Sequence, residues 1–315
     1  LFAINHDGTD VEGFPYIVGE KMKAGVVLAD MNGNGLDDII FGTDGDNLYV
    51  LLDDLTVAPG FPIDLGNNIQ SEPSVLDLGD EKIILTGCKN DNFYAINYSD
   101  ASIRFVIPTG DDIFTSAAYY EGQEGLNIYF GSDDGNVYGV DVNGNAIEGF
   151  PIYISGGVVG SIVISDLDNN GVTDLVAVNN LGQIHAFDVY GVPLDHFPIN
   201  YEFPFASSPL IVDFDQDNDL EIVCGSTGDI VVVDIKNADG DNNYWSMYKG
   251  NNQRTGLYIS GNENSCTAGD INADGIINIL DIVRLVNIVI NPSIVLPEEV
   301  CPADLNSDSI INILD

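Results

Sequence analysis

Basic residues are scarce in this sequence. Nine Lys and Arg stand against 50 Asp and Glu, a formal net charge of −41 over 315 residues. Nucleic acid and anionic membranes are held by basic surfaces, so neither is an expected partner. Long apolar runs are missing too. No stretch reaches the roughly 18 apolar residues of a transmembrane helix, so membrane insertion is not expected. No secretory leader is visible, and the chain begins at Leu1 rather than Met, which reads as a missing natural N-terminus. Histidine occurs three times, at His6, His185 and His196, each isolated in a strand-like or turn-like stretch and read as structural. There is no H-E-x-x-H, no G-x-S-x-G, no P-loop and no G-x-G-x-x-G after a strand. Carboxylates are so frequent that no glycosidase pair stands out. No catalytic residue and no organic cofactor site is therefore expected. The single tryptophan, Trp245, reads as packing at the end of a domain rather than as a sugar platform.

The four cysteines divide into two kinds. Cys88 and Cys224 lie in apolar, strand-like stretches and read as buried thiols. Cys266 and Cys301 precede two acidic segments by similar offsets, and a disulfide between them would fit an oxidising compartment.

What is abundant is acid. It serves general solubility, adaptation to salt, or the ligation of hard cations, and position separates these readings. Many of the acids fall in regular Asp/Asn clusters, which favours cation ligation for that subset. The rest reads as solvating surface.

A repeat organises the first 258 residues. A short strand recurs at Leu1-Phe2-Ala3-Ile4, Leu48-Tyr49-Val50-Leu51, Phe93-Tyr94-Ala95-Ile96, Val137-Tyr138-Gly139-Val140, Ile184-His185-Ala186-Phe187 and Ile230-Val231-Val232-Val233. Its second position falls at 2, 49, 94, 138, 185 and 231, spacings of 47, 45, 44, 47 and 46. A Phe-Pro pair closes four units, at Phe14-Pro15, Phe61-Pro62, Phe150-Pro151 and Phe197-Pro198. Strands running into Asp30, Asp77, Asp166 and Asp213 open others. Four short strands in about 46 residues match the blade of a β-propeller. The expected fold is mainly β: a propeller of four-stranded blades, five recognisable and one partial, followed by a small α calcium loop-helix module. Residues 1–18 supply only the last two strands of a blade. Either further blades lie upstream or this fragment closes the ring; the missing Met favours the first.

Three units carry a nine-residue pattern, D-x-[DN]-x-[DN]-x-x-x-[DE]. Its ligand positions are Asp30, Asn32, Asn34 and Asp38; Asp166, Asp168, Asn170 and Asp174; and Asp213, Asp215, Asp217 and Glu221. Calcium takes six to eight oxygens at about 2.3–2.6 Å in flexible geometry, and alternate side chains of a tight loop converge to supply them. Gly35 and Gly171 stand at position 6, where the chain turns sharply, and Asn218 takes that place in the third loop. Asp, Asn and Gly are also ordinary turn residues. Three copies in phase with an independent repeat favour calcium. The loops after Asp77 and Tyr120 have lost the pattern.

With the Phe41-Gly42 and Phe130-Gly131 pairs, the pattern resembles the FG-GAP/VCBS repeats of integrin-like β-propellers over about residues 19–235. That resemblance implies the fold and calcium sites, not an activity. The third strands also look like quinoprotein-type blades, without a cofactor signature. The run from Trp245-Ser246-Met247-Tyr248 to Gln253-Arg254-Thr255-Gly256 looks like the segment flanking propellers in secreted bacterial surface proteins.

After a linker at 259–265, the region 266–315 carries two copies of D-x-N-x-D-x-x-x-N-x-x-D, with ligand positions Asp270, Asn272, Asp274, Asn278 and Asp281, then Asp304, Asn306, Asp308, Asn312 and Asp315. This is the twelve-residue spacing of an EF-hand loop, with Asp in place of the usual Glu at position 12. Behind the first loop, Ile279, Ile282, Leu285, Val286 and Val289 form an expected apolar stripe of a helix, ended by Asn291-Pro292. Loop then helix, in tandem, resembles a type I dockerin module. The resemblance implies calcium, a cohesin-like scaffold partner and a secreted or cell-surface, bacterial-type protein. In that family the residues at loop positions 10 and 11 help choose the cohesin. Here they are Ile279-Leu280 and Ile313-Leu314, apolar in both copies, which reads equally as core or as recognition surface. Ser309 replaces the glycine of the second loop, and no second helix follows Asp315, so the second half reads as truncated.

The functional expectation is a calcium-binding, non-catalytic binding or adhesion protein. Its propeller takes a protein or polysaccharide ligand, and its tail docks to a scaffold. The alternative is a carbohydrate-active enzyme, a polysaccharide lyase or glycoside hydrolase, or the accessory part of one tethered by its dockerin.

Overall fold

The structure is a computed structural model, and it describes residues 1–122, 125–215, 217, 219–236, 244–251, 253–260, 269, 271, 279–290 and 303. The chain falls into two compact units, Leu1–Ser260 and Gly261–Asp315.

Short β-branched and aromatic runs, broken by Gly, Asp and Asn, set the strands of the first unit. They form five antiparallel sheets in sequence order. The first is β1 (Val27–Ala29), β2 (Asp38–Gly42), β3 (Asn47–Leu51) and β4 (Ile63–Asp64). The second is β5 (Ser74–Asp77), β6 (Lys82–Cys88), β7 (Asn92–Asn97) and β8 (Ile103–Pro108). The third is β9 (Ala118–Gly122), β10 (Gly125–Gly131), β11 (Asn136–Asp141) and β12 (Ile152–Tyr153). The fourth is β13 (Val158–Ser165), β14 (Asp174–Asn179), β15 (Gln183–Asp188) and β16 (Ile199–Asn200). Among the described residues the fifth shows three strands, β17 (Leu210–Val212), β18 (Leu220–Gly225) and β19 (Ile230–Ile235). These are the blades of a β-propeller. The Phe-Pro pairs stand at the last strand of each unit, directly before it: Phe61-Pro62, Phe150-Pro151 and Phe197-Pro198 precede β4, β12 and β16. Residues 1–18 repeat the end of a blade, with an isolated bridge Ile4↔Asp10 like Leu51↔Val57 and Val140↔Ala146.

Apolar residues of facing sheets interdigitate. Val27, Ile40 and Leu48 pack with Val75, Ile84 and Ile96 between the first two blades. Phe93 and Phe130 stack between the second and third. Val163, Val176 and Ile184 pack with Ile211, Ile222 and Cys224 between the fourth and fifth. The expectation that Cys88 and Cys224 are buried thiols holds. The close approach explains the glycine at or next to the end of three second strands. A Cβ on Gly42, Gly87 or Gly131 would lie 2.2, 2.3 and 2.3 Å from Ile69 and Ile113 of the following connections and Val158 at the start of β13.

Neighbouring blades are also tied just before their first strands or, at Ser161, within one. Gly25 N donates to Glu72 Oε1 (3.1 Å), Ser116 N to Ser161 Oγ (3.0 Å) and Ser161 N to Ser208 Oγ (2.9 Å). Each of these residues lies two positions before the matching start of β1, β5, β9, β13 or β17 in the β-pairing register.

Residues 244–260 run along those first strands. Ile164 N of β13 donates to Trp245 O (2.9 Å), Ile211 N of β17 to Ser246 O (2.8 Å), and Val75 N of β5 to Gly256 O (2.8 Å). Lys249 Nζ reaches Val26 O ahead of β1. Strand β20 (Leu257–Ile259) pairs with β5 in parallel, and Tyr258 Oη and Ser260 Oγ both donate to Glu121 of β9. One segment therefore touches the first strand, or the residue before it, of every blade. Trp245 packs, as expected. It is buried, 7% exposed, with its ring edge-on to Tyr119 and beside Tyr258.

In the second unit, α1 (Ile279–Ile290) buries Ile288 against Ile271 and Ala303, with Leu285 partly covered. This corrects the expected stripe. Ile282 and Val286 are exposed, and Ile288 faces the small core in their place. Among the described residues no helix is long and apolar enough to cross a membrane.

Candidate metal centres

Each nine-residue loop joins the first and second strands of its blade. In the fourth blade the carboxylates of Asp166, Asp168 and Asp174 converge, with one oxygen of each within 4.8 Å of the others. In the fifth, Asp213, Asp215 and Glu221 do the same. Here the structure brings three of the four predicted positions of each loop together, while Asn170 Oδ1 accepts from Val172 N and Asp217 pairs with Lys236 at 3.1 Å.

The loops are built by their own polar groups. Asp30 Oδ1 accepts the N–H groups of Gly33 and Asn34, and Oδ2 that of Gly35. Asp166 accepts from Asn170 and Gly171 in the same way. Asn34 Oδ1 and Asn170 Oδ1 accept from Leu36 and Val172, two residues on. Gly35 and Gly171 have φ of 83° and 79°, the left-handed region in which glycine escapes a Cβ clash. The N–H donors, with that of Gly35 foremost, hold the Asp30 carboxyl below its ordinary range.

The last acid of each loop closes it. Asp38, Asp174 and Glu221 begin or enter the second strand and are buried at 0%, 0% and 3% exposure. Each accepts the N–H of loop position 2, from Met31, Leu167 and Phe214. The second oxygen separates the blades. In the first, Asp38 Oδ1 accepts the N–H of Asp53 at 2.9 Å, and Asp53 Oδ1 in turn accepts from Asn34. In the fourth and fifth, Asp174 Oδ1 and Glu221 Oε1 are buried without a hydrogen-bond partner among the described residues. Burial, reinforced by the charges of Asp168, Asp166 and Asp188, pushes the Asp174 carboxyl up to about 7. Burial also raises Asp38.

The second and third blades lack this acid. Ile83 and Asn127 occupy its register position opposite Leu76 and Tyr120. In the second blade Lys82 pairs with Asp77 at 3.6 Å and donates to the carbonyl of Asp30, so an ammonium group supplies the positive charge there.

One acidic group was not legible as a motif. Asp91, Asp111 and Asp112 converge from the β6–β7 turn and the connection after β8. Nothing in linear spacing marks it, and Lys89 already pairs with Asp112. Of the tail positions, Asp270, Asn272, Asp274, Asn278, Asp304, Asn306, Asp308, Asn312 and Asp315 lie outside the described residues, as do Cys266, Cys301 and the side chain of Asp281. Ile271, position 2 of the first tail loop, and Ala303, which precedes the second, are buried against α1.

Comparison with known proteins adds to this geometry. Residues 268–315 match the model of the Dockerin type I domain. Type I dockerin domains bind calcium and dock to cohesins, so the C-terminal region is a calcium-binding, cohesin-docking module. No curated protein matches the sequence. Among solved structures, BBS1N in complex with ARL6DN is similar with a TM-score of 0.53 at 10% identity, over 76% of this chain and 73% of that one. BamB from Moraxella catarrhalis gives a TM-score of 0.48 at 14% identity, over 69% and 62%. At such identity the first likeness concerns the fold alone.

Proposed function

We propose that this is a secreted or cell-surface calcium-dependent binding protein. Its FG-GAP/VCBS-type propeller presents a protein or polysaccharide ligand site, and its dockerin tail ties it to a cohesin-bearing scaffold. In this reading calcium is held by Asp30, Asn32, Asn34 and Asp38, by Asp166, Asp168, Asn170 and Asp174, and by Asp213, Asp215, Asp217 and Glu221. The tail holds it through the ten Asp and Asn positions of its two loops.

The observation that carries the propeller sites is the pair of orphaned oxygens, Asp174 Oδ1 and Glu221 Oε1. A buried polar atom left without a partner costs roughly 1–3 kcal/mol, and more for a charged group. Both atoms belong to carboxylates that converge with two others. A hard divalent cation accepts this donor set, offsets the like charges and fills the missing contact. Because residues 244–260 occupy the first-strand side of the blades, ligand recognition falls to the loops and connections around it. In the tail, Ile282, Val283, Val286 and Ile290 leave an apolar stripe of α1 exposed, which suits a helix that docks.

Calorimetric calcium titration of the full chain tests the propeller sites. With the tail disabled by Asp270→Asn and Asp304→Asn, calcium heat remains, and Asp174→Asn with Glu221→Gln removes most of it. Equal heats with and without those two substitutions would contradict the assignment.

A further inference from the structure

We propose that residues 244–251 and 253–260 form a latch along the first strands whose seating is coupled to calcium in the loops of the fourth and fifth blades. The proposal rests on the calcium reading of those loops.

The latch is held unevenly. Its C-terminal half has a ladder: Leu257↔Val75, Tyr258↔Leu76 and Ile259↔Asp77, extended by Ser260 N to Asp77 O at 2.7 Å. That ladder lies on the second blade, where Lys82 compensates Asp77 and no calcium loop exists. Tyr258 and Ser260 add Glu121 of the third blade, also without a calcium loop. Its N-terminal half shows one backbone bond to each of two blades, Ile164 N to Trp245 O and Ile211 N to Ser246 O, beside the side-chain bond of Lys249 Nζ to Val26 O at the first blade. Those two blades carry the converging acids.

Register makes the connection direct. Ile164 and Ile211 each stand two residues before position 1 of a loop, Asp166 and Asp213. A two-residue stretch of extended strand therefore joins each latch contact to a metal ligand. Without a cation, β13 and β17 run into loops whose carboxylates repel and whose last acid has an unpaired buried oxygen. A bound cation fixes Asp166 and Asp213, and with them the strand ends that present the N–H groups of Ile164 and Ile211. The linkage is reciprocal: calcium seats the latch, and the seated latch raises calcium affinity by the same factor. The N-terminal half is the part that responds. The ladder on β5 keeps the segment in place.

Trp245 reports on this contact without modification. It is the sole tryptophan, so emission reads one site. Its ring is buried beside Tyr119, and its Nε1 has no hydrogen-bond partner among the described residues, so emission follows burial.

The experiment is a calcium titration of the chelator-treated full chain, with Trp245 emission and acrylamide quenching recorded beside calorimetry. A saturable blue shift and a fall in quenching are expected at the calcium concentration that gives the propeller heats. The response persists in the Asp270→Asn/Asp304→Asn chain and is lost in Asp166→Asn/Asp213→Asn. Trp245→Ala weakens calcium at the propeller loops by about fivefold or more, the lower end of ordinary coupling. Propeller heats in the tail-disabled chain with unchanged Trp245 emission and quenching would overturn the latch while leaving the calcium sites standing. No heat in that chain would overturn both. The wild-type and tail-disabled chains decide the matter even if the double loop variant does not fold.

Discussion

Asp174 Oδ2 accepts the backbone N–H of Leu167 at 2.8 Å, while Asp174 Oδ1, equally buried, accepts nothing from the described residues. One oxygen closes the loop and the other is left for a ligand. Asp174→Asn separates the two roles. In chelator the variant is expected to melt at or above the wild type, because a buried charge is gone. In calcium it is expected to melt lower, by roughly 1–3 kcal/mol, because the site is gone. Thermal melts with and without calcium check the crossover.

The same group sets a pH dependence. Burial raises the Asp174 carboxyl from the ordinary 3.8 to about 7 in the folded, metal-free chain. The folded state therefore holds this proton more tightly than the unfolded one. The stability it contributes is fully present below pH 3.8 and is lost as pH rises through about 7. Chelated protein is expected to unfold more readily at pH 8 than at pH 5 in denaturant titrations. Calcium abolishes much of that difference by replacing the proton. Calcium affinity of the fourth-blade loop falls as pH drops below about 7.

Ser161→Ala probes the ties between blades. Its hydroxyl accepts the N–H of Ser116, and both residues are buried. Losing the acceptor leaves a buried N–H unpaired, at about 1–3 kcal/mol. Urea unfolding is expected to show that loss, with calcium heats unchanged.

Gly131→Ala tests the packing between third and fourth blades. The added methyl would sit 2.3 Å from Val158 Cγ1 and 2.5 Å from its Cβ. Overpacking of this kind costs about 1–3 kcal/mol. Val158→Ala in the same chain is expected to recover part of it, measured as a positive coupling in the denaturation cycle.

On α1, Ile282→Asp with Val286→Asp is expected to weaken cohesin capture at least tenfold while the calcium heats of the tail persist, since both side chains are exposed. Ile288→Asp, by contrast, places a charge in the small core and disrupts folding of the unit.

Much of this was legible in the order of residues. The strand Val137-Tyr138-Gly139-Val140 and its five relatives mark the blades, because a repeat of about 46 residues with alternating apolar positions has few other solutions. The loops were legible because calcium needs alternate oxygen donors within one tight turn. Other features were not. The path of Trp245 depends on carbonyls meeting Ile164 and Ile211, and backbone acceptors leave no mark on composition. The buried stripe of α1 shifted to Ile288 because Ile282, Leu285, Val286, Ile288 and Val289 are all apolar, so periodicity alone could not choose a face. Asp91, Asp111 and Asp112 come from two connections and have no linear spacing to read. The differing fate of Asp38 and Asp174 turned on the Asp53 N–H, a contact across the blade.

The most direct measurement is equilibrium calcium binding to the chain carrying Asp270→Asn and Asp304→Asn. The account predicts that this chain still binds calcium, and that Asp174→Asn and Glu221→Gln remove the binding of the fourth and fifth blades. A tail-disabled chain that binds no calcium would contradict it.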